Sequence, residues 1–557
     1  MATKRNNDGA KTSRRRMRSG GGAASGTAAS GSANAAAASR APGSPDSRER
    51  RLFDALANGQ GTIHAGALRA ALRGAGIRLD DPRVEQAVGA LAELETANRP
   101  QAREIDFETF VRVVQPNVLM IDKALKRELA IPDFEGFGGR IERIFESARR
   151  VGDGKVADYI PQLARVDGER FGAAVTTVDG QRLALGDAAT PFSLQSACKP
   201  IAYALALEER GEEVVHRHVG TEPSGQSFNE LTLNQQRRPH NPMINAGAIM
   251  SAALIRPDDE MADRFDHVVG MWQRLAGGTR PTFNNAIYLS ERRTADRNFA
   301  LGYFMRENGA FPEGTDLLET LEFYFQMCSL ELTAESFSVV AATLANGGVC
   351  PITGLRVLAP ETVQKVLSLM YSSGMYDYSG EWAFRIGLPA KSGVSGVILI
   401  VVPNVLGLVV WSPRLDAHGN SVRGIAFARE LVSTFNFHNY DNLVGGVHGK
   451  VDPRLAPHQT KRNLLVDLCW AASEGDVDGI RRLMVQGVDL EEADYDGRTA
   501  LHLAASEGRA EVVDLFVQRG IELSPVDRWG NTPLDDAGRG GHEEVIALLA
   551  RSPARAA

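Results

Sequence analysis

The apolar run from Val394 to Trp411 constrains the fold of this chain more than any other segment. Eighteen residues is about the length of a bilayer-spanning helix, so the run has to be either a span or buried core. Pro403-Asn404 breaks its middle, and the halves Val397–Val402 and Val405–Trp411 are rich in β-branched residues. That pattern predicts two buried strands joined by a turn, and a chain outside the membrane. Far upstream, Phe171–Val178, Asp179-Gly180 and Gln181–Leu185 carry the strongest hairpin pattern in the sequence, preceded by helix-like Ile141–Arg149. A long helical stretch, Ser193 to Leu369, lies between. Strands from both ends with helices inserted between them predict one antiparallel sheet, built from distant segments and backed by a helical subdomain. Residues 131–443 are assigned to this unit.

The full 557 residues predict about three to five domains, so the sheet needs company. Residues 1–51 carry eleven Lys/Arg against three acids, although the whole chain has a net charge of −7. The remaining body is acidic, which argues against a nucleic-acid-binding core. Before Leu52 there is no Val, Ile, Leu, Phe, Tyr or Trp, so residues 1–47 read as a disordered basic tail without the apolar segment of a secretory signal. The cytoplasm is the expected compartment, with a mitochondrial address as the alternative. Cys198, Cys328, Cys350 and Cys469 lack C-x-x-C spacing, so neither a disulfide framework nor a zinc site is expected.

Residues 48–130 show helical spacing, as in Leu68 with Leu72 and Phe110 with Val114. Gly61-Thr62-Ile63 and Glu104-Ile105-Asp106 fall where paired EF-hands place their loops, and the region resembles them in layout. Its chemistry differs, because Leu56, Asn58, Gln60 and Ala67 stand where calcium wants oxygen ligands and a bidentate Glu. After an expected linker at 444–463, residues 464–557 repeat at a period of 33. Ala471-Ala-Ser-Glu-Gly475 returns as Ala504-Ala-Ser-Glu-Gly508, and Asp494-Tyr-Asp-Gly-Arg-Thr-Ala-Leu-His502 as Asp527-Arg-Trp-Gly-Asn-Thr-Pro-Leu-Asp535. This resembles the ankyrin repeat, which stacks helix pairs into an interaction surface or serves as a structural spacer. The partner is not readable from the sequence.

Chemistry is suggested by Ser196-Ala-Cys-Lys199, which opens a helix. Positions i and i+3 share a helix face, so Lys199 can reach the Ser196 hydroxyl, and a desolvated lysine can serve as its base. Lys391-Ser-Gly393 follows 195 residues after Ser196, just before the strand Val397–Val402. Together they match the S-x-x-K and K-[ST]-G elements of serine β-lactamases and penicillin-binding proteins. Six ordered segments narrow this further: Pro191–Pro200, His240–Ala248, Ser290–Phe299, Phe323–Ser329, Gly374–Tyr378 and Pro389–Val394. They resemble the successive motifs of the serine-dependent glutaminases, and the flanking regions resemble the kidney-type long form of that family.

The resemblance implies a multidomain α+β chain: a β-lactamase-like catalytic domain, an N-terminal EF-hand-like region and C-terminal all-α ankyrin repeats. It implies hydrolysis of L-glutamine to L-glutamate and ammonia, with Ser196 as nucleophile, Lys199 as base, Tyr376 as proton relay and Tyr159 beside them. Substrate would be held by Gln195, Ser196, Asn245, Glu291, Asn298, Tyr324, Tyr376 and the backbone N–H of Val394. It further implies no metal or organic cofactor, activation by inorganic phosphate and a homotetramer. Two departures bear on activation. The segment matching the family's mobile interface loop reads Glu230-Leu-Thr-Leu233 where animal enzymes carry Lys-Leu-Phe-Leu, and Phe304 replaces a tyrosine. Two other functions compete, a β-lactam-reactive acyl enzyme and an ankyrin scaffold carrying an inactive domain.

Overall fold

The computed structural model describes residues 47–57, 62–96, 104–126, 128–225, 227, 229–441, 449–455, 457–485 and 488–551. The basic tail to residue 46, the EF-like loop positions Asn58, Gln60 and Gly61, and residues 444–448 of the expected linker lie outside them.

Helix α1 (Phe134–Arg149) is capped by Asp133, whose carboxylate accepts from the Gly136 N–H at 3.1 Å. It starts seven residues before Ile141, where the sequence pattern places it. Gly136, Gly138 and Gly139 weaken the helical signal, but burial of Phe134 and Phe137 against the sheet overrides that weakness. The sheet comprises β1 (Gly172–Thr177), β2 (Arg182–Gly186), β3 (Ala390–Gly393), β4 (Val397–Val402) and β5 (Leu406–Trp411). Its order is β2-β1-β5-β4-β3, with every neighbouring pair antiparallel. The apolar run is thus a hairpin in register from Val397 opposite Trp411 to Val402 opposite Leu406, turning through Asn404 at φ +62°. Among the described residues, no helix is long and apolar enough to cross a membrane.

The helical subdomain includes α2 (Lys199–His218), α3 (Asn245–Leu254), α4 (Asn285–Arg293), α5 (Asp296–Glu307) and α6 (Leu317–Cys328), with α7 (Ala334–Ala345) lying on the sheet. On the other face of the sheet, α8 (Val422–Thr434) packs beside α1. The two-residue alternation of β4 explains both layers. Ile398, Ile400 and Val402 join the cluster of α1 and α8, while Val397, Leu399 and Val401 join that of α7. Gly407 permits the α7 contact, because a Cβ there would lie 2.1 Å from the Ala342 nitrogen. The helical stretch also contains a small sheet that the sequence pattern does not reveal, Phe192–Ser193, Leu330–Leu332 and Thr282–Phe283. Strands of two or three residues are too short to show alternation.

In the EF-like region, Ile63 pairs with Ile105 and His64 with Glu104, so the expected β-contact forms. The region docks on the β1–β2 hairpin. Arg182 N–H donates to the Gly76 carbonyl at 2.8 Å, and Arg83 donates to the Asp179 carbonyl at 2.7 Å. Buried Asp81 holds Arg83 through two hydrogen bonds of 2.9 and 2.8 Å and faces Arg182 at 3.5 Å. Removing one partner of a buried pair leaves an uncompensated charge. Asp81→Ala is therefore expected to destabilise the protein by about 3–5 kcal/mol, measured by chemical denaturation; a loss within about 0.5 kcal/mol would disprove a structural role for the clasp.

At the C-terminus three helix pairs stack, 457–474 with 477–485, 500–506 with 510–519, and 533–540 with 543–551. The 33-residue period places Ala471, Ala504 and Ala537 in one buried row, and Leu483, Phe516 and Leu549 in another. Asp494 and Asp527 brace equivalent turns, each accepting from the N–H groups two and four residues on.

Candidate active site

Between the short strand Phe192–Ser193 and α2 the chain makes a tight 3-10 turn, Gln195–Cys198. Gln195 sits at φ +48°, a backbone conformation that costs free energy for a residue with a side chain and is retained where surrounding structure imposes it. Gly393, the last residue of β3, lets the strand press on this turn: a Cβ there would lie 2.8 Å from the Leu194 carbonyl and 3.4 Å from the Ala197 nitrogen. The S-x-x-K and K-S-G elements therefore meet although 195 residues separate them in sequence.

Lys199 is fully buried, and its Nζ donates to Asn245 Oδ1 at 2.6 Å. Burial lowers its pKa to about 8, while the nearby thiols pull weakly the other way. The Tyr376 hydroxyl lies close to Ser196, a contact that lowers its pKa while burial raises it by more. The lysine hydrogen bond thus runs to Asn245, not to the serine expected from helical spacing. A charged amine takes the amide acceptor that the start of α3 presents. Tyr376 also has a positive φ, +54°. Lys391 lies over its ring at 4.5 Å, donates to the Ser392 carbonyl at 2.6 Å, and is driven toward the neutral form by burial and by the charge of Lys199.

A cavity of about 320 Å³ opens beside this pair, lined by Tyr159, Gln195, Ser196, Asn245, Glu291, Asn298, Tyr324 and Val394 among others. Asn245 Nδ2 donates to Asn298 Oδ1 at 3.0 Å, and the Tyr324 hydroxyl lies 3.5 Å from Asn245 Oδ1. At the opposite wall, Tyr159 Oη donates to Glu291 Oε1 at 2.6 Å and lies 3.3 Å from Gln195 Oε1. The Tyr159 ring is 46% exposed while its hydroxyl points inward. Burial of that hydroxyl, reinforced by the Glu291 charge, pushes its pKa well up. Glu291 is itself raised by burial, against the hydrogen bond from Tyr159 and the nearby Gln195 amide. A buried carboxylate with a cavity in front of it favours a cation there.

Nine of the ten proposed residues thus line the cavity or, for Lys199, lie buried behind Asn245. Tyr376 lines a neighbouring cavity of about 490 Å³ while its hydroxyl reaches Ser196. The sequence reading missed Asn229 and Arg297, which also line the substrate-sized cavity. Arg297 donates to the Asn229 carbonyl at 2.8 Å and pairs with Glu230 at 3.3 Å, so the segment that departs from the family pattern is tied to the cavity wall. Arg297 was visible only as part of a charged run.

Comparison with known proteins identifies the family. The glutaminase family model matches residues 154–440, an EF-hand domain model 48–132, and a model of three ankyrin repeats 468–556. The mitochondrial liver isoform of glutaminase from Rattus norvegicus is 47% identical over 453 residues, covering 81% of this chain and 75% of that protein. Putative glutaminase 2 from Caenorhabditis elegans is 46% identical, covering 79% of this chain and 74% of its own. The solved structure of the probable glutaminase ybaS superposes with a TM-score of 0.53 at 34% identity, covering 56% of this chain and all of that one. With a β-lactamase-like sheet, a helical subdomain and relatives of this closeness along most of its length, the chain belongs to the glutaminase family.

Proposed function

We propose that this chain hydrolyses the side-chain amide of L-glutamine to L-glutamate and ammonia through a Ser196 acyl-enzyme. The observation that carries the reading is the packing of Gly393 on the turn that holds Ser196, with Lys199 buried one helical turn on, beside a cavity whose far wall holds a buried carboxylate. Lys199 in its neutral form takes the Ser196 proton, and Ser196 Oγ attacks the carboxamide carbon. The backbone N–H groups of Ser196 and Val394 receive the oxyanion, and Tyr376 passes a proton to the departing ammonia. Water attacks the ester and frees glutamate. Glu291 holds the substrate ammonium, while Asn245, Asn298 and Tyr324 offer donors to its carboxylate. The reaction written this way uses no metal or organic cofactor.

A coupled glutamate assay on the purified full chain tests the activity, and labelling by a fluorescent penicillin in place of turnover would favour the β-lactam alternative. Glu291→Gln is expected to raise KM by about 10–100-fold with a smaller change in kcat, the cost of one charged hydrogen bond; an unchanged KM removes Glu291 from the binding list. Gly393→Ala drives a Cβ against the Leu194 carbonyl and is expected to lower kcat at least about 100-fold, read in the same assay. Full activity in that variant would mean the turn does not depend on β3.

The reading extends to a homotetramer activated by inorganic phosphate, with the ankyrin repeats as a protein-interaction surface. The Glu230–Arg297 pair means that a phosphate response would have to act on an anchored loop. Light scattering and turnover with and without phosphate test both, and a single-subunit mass overturns the assembly. For the compartment, the cytoplasm stays the reading from composition, and the mitochondrial label of the rat relative favours the alternative; cell fractionation decides.

A further inference from the structure

Cys198 and Cys328 are 130 residues apart in sequence, yet their sulfur atoms lie 4.0 Å apart in the buried floor of the site. Both are free thiols. Cys198 stands between the proposed nucleophile and its base, in the turn Gln195–Cys198. Cys328 ends α6, four residues after Tyr324, and lines the same cavity as Ser196, so a small solute that enters the cavity comes against this residue. We propose that this pair is an oxidation site, at which a peroxide closes a Cys198–Cys328 disulfide and reversibly switches the enzyme off.

The chemistry balances with the peroxide as oxidant. A thiolate attacks one peroxide oxygen, the O–O bond breaks, and a sulfenic acid and hydroxide form. The second thiol then displaces hydroxide from the sulfenic sulfur, giving the disulfide, so two thiols and one hydrogen peroxide yield one disulfide and two waters. Cys328 stands at the cavity wall and meets the peroxide first, and buried Cys198, its sulfur 4.0 Å away, is the nucleophile that resolves the sulfenic acid. The Cys198 thiol is pulled down by the hydrogen bond from Cys328 and then by the charge of Lys199, whereas Cys328 is pushed up.

A disulfide holds its sulfurs about 2.05 Å apart, so closure brings the two sulfurs about 2 Å nearer and pulls on the segments that carry them. One segment carries Ser196 and Lys199, and the other carries Tyr324. A shift of about 1 Å in reacting groups already costs on the order of 100-fold in rate. Disulfides in reducing compartments are typically transient and regulatory, and this one would be undone by a dithiol.

The inhibitory part of the proposal rests on Ser196 as nucleophile, so the experiment separates the two. Full-length protein is treated with hydrogen peroxide, its remaining thiols are blocked, and its peptides are mapped by mass spectrometry alongside glutamate formation. Expected are a Cys198–Cys328 cross-link and a loss of activity of at least about tenfold, both reversed by dithiothreitol. Cys198→Ala and Cys328→Ala, each compared with its own untreated activity, are expected to keep most of it under peroxide. Absence of the cross-link overturns the site. A cross-link without loss of activity, or equal loss in the alanine variants, overturns the switch. If the cross-link forms while Ser196→Ala still turns over, the nucleophile assignment fails instead.

Discussion

Ser196→Ala is expected to lower kcat for glutamate formation by at least about 10⁴-fold, the scale seen when a nucleophile that works as a unit with its base is removed. Its side chain is small and nearly buried in a turn fixed by Gln195 and Gly393, so alanine should leave the fold in place. Thermal shift with glutamine distinguishes lost chemistry from lost folding. The variant should still be stabilised by substrate, because the residues offered to the amino-acid end of glutamine, Asn245, Glu291, Asn298 and Tyr324, are untouched. Turnover equal to wild type would remove Ser196 from the mechanism, and would make its contact with Tyr376 a structural one.

The parts of this fold legible in the sequence are those where one local pattern and the tertiary environment agree. The run Val397–Trp411 is β-branched on both faces because helices cover both faces, and its Pro-Asn turn is where the hairpin reverses. The ankyrin helices could be read because the 33-residue period repeats the buried alanine row. Elsewhere the tertiary environment wins. Phe134 begins a helix through three nearby glycines because packing on the sheet outweighs their weak helix propensity.

The site divides in the same way. Ser196 and Lys199 could be read from helical spacing, and their K-S-G partner from motif order. Local spacing cannot show that Lys199 donates to Asn245, that Gln195 and Tyr376 adopt positive φ, or that two distant cysteines approach to 4.0 Å. Those features arise where α2, α3, α6 and β3 converge, and they carry no local signature. Asn229 and Arg297 were missed for the opposite reason, since Arg297 sits in what looks like any solvated charged segment and Asn229 in what looks like an ordinary polar loop.

Lys199 offers a second large effect, in which activity and stability should move in opposite directions. With a pKa of about 8 in place of 10.5, close to one lysine in ten is neutral at pH 7, against roughly three in ten thousand for an ordinary one. If neutral Lys199 is the base, kcat/KM should rise about tenfold per pH unit below about 8 and level off above it. A flat profile from pH 6 to 9 would exclude it as the titrating base. The same depression weakens the fold. The unfolded chain binds the proton more tightly, so the penalty is fully present below about pH 8 and fades as pH rises toward the unfolded value near 10.5. At pH 7 it amounts to about 3 kcal/mol for this fully buried group. Lys199→Met keeps the length and removes the amine, at a cost of about 1 kcal/mol for the hydrogen bond lost at Asn245. The variant should therefore lose activity on the scale of Ser196→Ala yet gain about 1–2 kcal/mol of stability at pH 7, measured by chemical denaturation, with the gain vanishing toward pH 10. A lysine retained for structure would instead give up both when replaced, so a stability loss in Lys199→Met would count against the catalytic reading even if turnover fell.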